Sequence, residues 1–337
     1  MKTFGLIRIL VPLLGVVASL RADPGALVIT ASNATANQLL VYSVSGKLLQ
    51  AVPTQGTGGA SGNAGGIEAN GSMVAVVNFG SNNVSIFQLE GNGFHMQQLV
   101  PTASSPLSVA FGADHLYVLG ATEVESHALY GLHVNPNPDG IVPLLIADGS
   151  AAQVGVLPTQ LIITEKTGAI ETVNLLAGGV IAGSATLVKN IPANPLAPFG
   201  LVTRGSDAYV TIAHSNLITL VRGDSVVTVT GSGTQNAPCW LTLVGPFLYS
   251  SNSPSMTLSR YVVFGAKLLQ DLAVAAVFDG DPTDIASGDG LVAVIDGNGP
   301  VSHLSIFQVD LDGNLALQAF DIITGAANGV AVIPIGL

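Results

Sequence analysis

The hydrophobic positions of this chain fall in short runs rather than long stripes. Runs of five residues, rich in β-branched and aromatic types, recur from end to end: ALVIT at 26, VAVVN at 74, LYVLG at 116, LIITE at 161, AYVTI at 208, LYSSN at 248 and VAVID at 292. Short apolar runs bounded by Gly, Asn, Ser and Pro are a strand signal. Each run leads through a polar turn into a second, such as NVSIFQL or HLSIFQV, and then a third, such as HMQQLVP or LALQAF. A Gly/Pro/Ser-rich loop follows, and then a short strand such as PLSVAFG or CWLTLV. Near-repeats set the period. VSIFQLEGNGF from Val84 and LSIFQVDLDGNL from Leu304 lie 220 residues apart, five times 44, while LYVLG and LYSSN lie 132 apart, three times 44. Four-stranded units of this length are propeller blades. The pattern predicts an all-β, seven-bladed β-propeller with four antiparallel strands per blade. ALVIT has the place of a second strand and GVAVI (Gly329 to Ile333) that of a first, so the C-terminal strand is expected to pair with the N-terminal blade and close the ring. Closure removes a strand edge that would otherwise invite aggregation.

Composition agrees. Only 9% of the 337 residues are charged, against about 25% in an average soluble domain. Forty glycines suit tight turns, and few Lys, Glu and Arg leave little for the outer face of amphipathic helices. The net charge of −11 excludes a basic nucleic-acid-binding face. A lone cysteine, Cys239 beside Trp240, excludes an intramolecular disulfide and reads as a small buried hydrophobe.

The first 22 residues change the picture of location. Lys2 and Arg8 precede a 12-residue apolar stretch, Ile9 to Leu20, too short to span a bilayer comfortably but suited to a signal peptide. Cleavage is expected after Ala22, with Ala18 as the alternative, giving a signal peptide over 1–22 and a propeller over 23–337. The mature chain would then carry 7 basic and 21 acidic residues. It is expected to be secreted, free of membrane and nucleic acid, and monomeric. Sequons at Asn33, Asn70 and Asn83 are candidate glycosylation sites in such a chain.

Candidate chemistry gathers where blades repeat. The loops that follow second strands share one face of a propeller with the loops between blades, around the central channel. The last residues of the second strands put Asn78, Glu165, Asn252 and Asp296 at this mouth, with Gly120 and Ala213 in blades 3 and 5. Glu165 and Asp296 are candidate general bases, and Asn78 and Asn252 candidate substrate-orienting amides. Lys166 and His214 are candidate cations for a carboxylate-bearing substrate. The same Asn and Asp side chains would equally serve to hold their own turns. The loop FDGDPTD supplies Asp279, Asp281 and Asp284, hard oxygen donors suited to Ca²⁺, although no cofactor is required by the pattern. GTGGASGNAGG (56–66) reads as a flexible loop over the mouth. The chain has no His-Glu-x-x-His, P-loop or Gly-x-Ser-x-Gly motif.

Five segments resemble the seven-bladed lactonase-like propellers, the group of 3-carboxymuconate cyclases and 6-phosphogluconolactonases. They are VVNFGSNNVSIFQL from Val76, SSPLSVAFGADHLYVLG (104–120), LIITEKTGAIETV (161–173), NAPCWLTL (236–243) and YSSNSPSMTLSRYVV (249–263). The family pattern at the first is Asn-Ala-Gly-Ser-Asn; here Phe79 replaces the Ala, and blade 7 reads IDGNGP instead. The resemblance implies lactone hydrolysis or cycloisomerisation of a small carboxylated or cyclic ester at the channel mouth. The alternative is a non-catalytic secreted propeller that binds a small molecule, glycan or protein.

Overall fold

The computed structural model describes residues 25–335 apart from residue 92, so the expected signal peptide lies outside the described residues. The chain forms seven antiparallel sheets arranged in a ring. In blade 1 the C-terminal strand Asn328–Pro334 lies innermost, followed outward by Ala26–Ala31, Gln38–Ser43 and Leu48–Pro53. The expected closure is present, with Val28 opposite Val332 and Ile29 opposite Ala331. The innermost strands of blades 2 to 7 are Ile67–Asn70, Ser108–Phe111, Ala151–Val156, Pro198–Arg204, Pro238–Val244 and Asp281–Gly288.

Blade 3 departs from the four-strand plan. Its outer strand is split into His133–Val134 and Gly140–Pro143. Between them lies NPNPD, whose two prolines cannot donate to a ladder.

Seven apolar clusters fill the interfaces between neighbouring blades. Both faces of each sheet are therefore covered, and the second strands read as unbroken buried runs, as in Met73–Asn78. The LYVLG and LYSSN near-repeats gain a physical meaning here. Tyr117 in blade 3 and Tyr249 in blade 6 are buried, and their hydroxyls reach the next blade's outer turn, donating to Gly179 O at 2.7 Å and Gly313 O at 2.5 Å.

The innermost strands have one edge that no other strand completes. Side chains from the preceding blade take over. Ser108 Oγ accepts from Val154 N at 3.3 Å, Gln153 Oε1 accepts from Leu201 N at 2.6 Å, and Asp284 accepts from Val330 N. Thr164 and Thr211 serve the carbonyls, donating to Phe199 O at 2.5 Å and Cys239 O at 3.0 Å. Ser108, Gln153 and Asp284 occupy one level of the ring, each paired with the residue just before its blade's expected mouth position: Leu119 before Gly120, Thr164 before Glu165 and Ile295 before Asp296. In blades 4 and 7 a register shift immediately precedes them, and such a bulge re-aims the side chain.

Closure rests on few residues. Val330, Val332 and Ile333 are buried, and burial of such side chains stabilises by about 1.5–3 kcal/mol each. Together that is comparable to the whole stability of a typical domain, about 5–15 kcal/mol. A chain truncated after Gly325 is expected to lose its cooperative thermal transition and to aggregate, as read by a melting curve and size-exclusion chromatography. A sharp melt at the full-length temperature would contradict this account.

Candidate functional site

The mouth face is closed. The glycine-rich segment 56–66 lies over it as expected, but it is anchored on several blades. Asn33 Oδ1 accepts from Gly59 N and Ala60 N at 2.7 and 3.0 Å, and Asn33 Nδ2 donates to Ala60 O at 2.9 Å. Asn63 Nδ2 donates to Leu107 O, Asn63 and Asn328 pair through their amides, and Ala64 N donates to Ala152 O. Trp240 Nε1 donates to Asn63 O at 3.0 Å, and the indole meets Phe199 edge to face, 4.9 Å between centroids. Glycine is required by the closeness of this packing: a Cβ on Gly58 would stand 2.4 Å from the Asn33 backbone.

The candidate mouth residues serve this scaffold. Glu165 is fully buried, with Ile146 N and Ala147 N each donating to one carboxylate oxygen at 2.9 Å. Asn78 is also fully buried, accepting from Asn37 and Thr54 and donating to Asn83 and Ser85. Asn252 donates to Thr257 and Ser259, while its Oδ1 has no partner among the described residues. Asp296 pairs with its cross-strand neighbour His303 at 2.9 Å. Lys166 Nζ donates to Gly62 O and Ala151 O and lies 5.9 Å from the Phe199 ring, so it pins the plug. Desolvation lowers its pKa. His214 is exposed in the turn Ala213–Ser215. The register also places the blade 5 counterpart of Asn78 and Asn252 at Ile212, one residue before Ala213, since Ile212 precedes the same short 3-10 turn.

The three aspartates of the 278–284 loop do not converge. Asp279 and Asp281 are exposed, whereas Asp284 is buried and faces the central channel. Among the described residues no group of three or more His, Cys, Asp or Glu side chains is placed to hold a metal ion. Of the sequons, Asn33 holds the plug, Asn83 bonds Asn78 and Ser81, and Asn70 stands exposed at a hairpin.

A channel lies beneath the plug. A cavity of about 650 Å³ is bounded by innermost strands of all seven blades. It reaches the Gly112 hairpin of blade 3, where a groove of about 500 Å³ continues toward Gly178 and Gly179. The channel therefore reaches the face opposite the expected mouth. Its described lining holds two ionisable groups, Glu68 and Asp284. Burial pushes Asp284 up to about 7, against the opposing effect of backbone hydrogen bonds from Ile285, Val330 and Gly65. Desolvation in the channel pushes the half-buried Glu68 up to about 8, partly offset by a backbone hydrogen bond from Phe111. Sequence reasoning passed over Glu68, although a lone carboxylate in the inner-strand segment GGIEAN was a signal that could have found it.

No protein-family model matches the chain, and no curated protein matches it by sequence. Solved structures match its shape. A protein of unknown function from Desulfotomaculum acetoxidans superposes with a TM-score of 0.70 at 13% identity, over 92% of this chain and 99% of that one. A proposed 6-phosphogluconolactonase from Bacteroides uniformis gives 0.71 at 13%, over 93% and 100%. The periplasmic gluconolactonase of Pseudomonas aeruginosa gives 0.66 at 14%, over 92% and 99%. The lactonase-like resemblance read from sequence thus holds for the fold.

Two outcomes are expected. Glu165→Ala orphans two backbone N–H groups in a buried setting and should cost about 2–5 kcal/mol of stability, measured by urea denaturation; a loss below the measurement error would contradict the capping role. Asp284 and Glu171 are buried and Glu68 is half-buried on the channel wall; their pKa values are raised, to about 7, 7 and 8. The native state then keeps protons that the unfolded chain releases near pH 4, so stability falls as pH rises from about 4 to 8. The melting temperature should be higher at pH 5 than at pH 8, and the difference should shrink in Asp284→Asn/Glu68→Gln. An equal or reversed pH trend would refute it.

Proposed function

We propose that this protein is a secreted, lactonase-like hydrolase that opens a small uncharged cyclic ester inside its central channel. The observation that carries the reading is the pair of proton-holding carboxyls, Asp284 and Glu68, in a lumen otherwise without ionisable groups among its described lining residues. A general base works best with a pKa near the operating pH, and a carboxylic acid kept neutral by burial can donate a proton. Near pH 7 Asp284 is partly ionised and Glu68 is protonated. Asp284 takes a proton from water as its oxygen attacks the ester carbonyl. Glu68 gives its proton to the ring oxygen as the C–O bond breaks. The product is a hydroxy acid, and the lumen carboxylates repel its new negative charge.

The carboxylated substrate expected from the sequence fits this channel poorly. Lys166 is committed to the plug, and the described lining offers no cation to neutralise an anion. An uncharged lactone needs none. Secretion is part of the proposal on the strength of the N-terminal segment, with Asn70 the sequon best exposed for glycosylation.

Purified protein assayed on uncharged five- and six-membered lactones should accelerate hydrolysis. Asp284→Asn and Glu68→Gln should each lower kcat/KM by about 10²-fold or more. The rate should rise through about pH 7 and fall above about pH 8, as Asp284 must be ionised and Glu68 protonated. Background-level hydrolysis by the wild type, or unchanged rates in both variants, would sink the reading in favour of a binding propeller.

A further inference from the structure

Three side chains share the inner-edge level of the ring, yet they are left in different chemical states. Ser108, Gln153 and Asp284 each accept an N–H of the following blade, from Val154, Leu201 and Val330. Ser108 is fully buried. Asp284 is an acceptor when ionised. Gln153 is amphoteric: an amide has one acceptor oxygen and two N–H donors. Its 2.6 Å bond from Leu201 N defines which end is oxygen, because a backbone N–H cannot donate to an NH₂. The Nε2 end is thereby turned elsewhere, and it has no hydrogen-bond partner among the described residues. Gln153 is partly exposed and lines the channel.

The position of Nε2 follows from Gly65. This residue closes the upper end of the cavity, where segment 56–66 descends into the inner strand of blade 2. A Cβ on Gly65 would lie 3.3 Å from Gln153 Nε2, and Gly65 also hydrogen-bonds Asp284 through its backbone. An amide donor from blade 4 and a carboxyl from blade 7 thus approach the same glycine from across the lumen. A free donor and a proton-accepting carboxyl lining one cavity are the pair that a carbonyl under attack by water requires: one group for the developing oxyanion, one for the nucleophile.

We propose that Gln153 is the carbonyl-recognising residue of this channel. Its Nε2–H groups hold the carbonyl oxygen of a small, uncharged cyclic ester or amide beneath Gly65, with the ring directed toward the open end. The substrate class rests on the channel reading above; the donor site rests on the geometry alone. Gly65, with φ at +64°, keeps the space beside the amide clear: a Cβ there would stand 3.0 Å from Ser108 Oγ and 3.3 Å from Gln153 Nε2.

The probe is δ-valerolactam, which carries a lactone-like carbonyl in a ring slow to hydrolyse. Protein labelled with ¹⁵N-glutamine is titrated with it, and the Gln153 side-chain resonances are assigned by their loss in Gln153→Glu. That variant keeps the acceptor for Leu201 N and removes the donor. The expected result is a saturable shift of the Gln153 NH₂ signals, with the lactam Kd weakened at least tenfold in Gln153→Glu. Gly65→Ala, which leaves the Gln153 amide in place but crowds its Nε2 face, should weaken it similarly. Absence of lactam binding, binding that leaves the Gln153 signals unmoved, or equal affinity in Gln153→Glu would each overturn the proposal. The wild-type titration stands even if a variant fails to fold. Lactam recognition through Gln153 without hydrolysis of any lactone would discard the hydrolase and keep the site.

Discussion

A propeller must satisfy the inner edge of every innermost strand without a partner strand to do it. A buried, unpaired backbone group costs about 1–3 kcal/mol, and seven strands present such edges around one axis. This chain meets the demand with side chains from the preceding blade: Ser108, Gln153 and Asp284 for N–H groups, Thr164 and Thr211 for carbonyls. The lumen is polar because of that demand. Gln153 and Asp284 stand where they do first because Leu201 and Val330 need acceptors. The chemistry of the channel is what remains of those side chains once the backbone has been served.

The same logic explains why the mouth residues behave as they do. Strand ends at the plugged face carry Asn78, Glu165, Asn252 and Asp296, and each bonds its own blade or the loop beside it. Burial and hydrogen bonding make them part of the frame, Asn252 through its amide N–H groups alone. The groups with surplus capacity lie one level down or deeper, where side chains reach water-sized space rather than another loop.

Much of the fold was legible in the sequence because period and alternation are local properties. The 44-residue spacing, the closing strand and the tyrosine near-repeats each follow from residues read in order. The site was less legible. Which inner-strand residue faces the lumen depends on a one-residue bulge: the shift between Pro282 and Asp284 carries Asp284 into the channel, away from Asp279 and Asp281. No composition rule marks such a bulge. The plug was visible as glycines over the mouth, but its rigidity comes from partners far away in sequence. Asn63 and Trp240 are 177 positions apart. The split outer strand of blade 3 was written in NPNPD, where two prolines override a repeat that continues on either side.

The anchored segment 56–66 has a consequence for traffic. A channel stoppered at one end is a cul-de-sac. Nothing can be threaded through it, so a polymer could present only its tip, and a long chain could not be processed from within. Whatever enters, water included, must leave by the same doorway, each departure making room for the next arrival. Any occupant of such a chamber would pass the Gly112 hairpin, where its bulk is tested, before it met a polar group beneath Gly65.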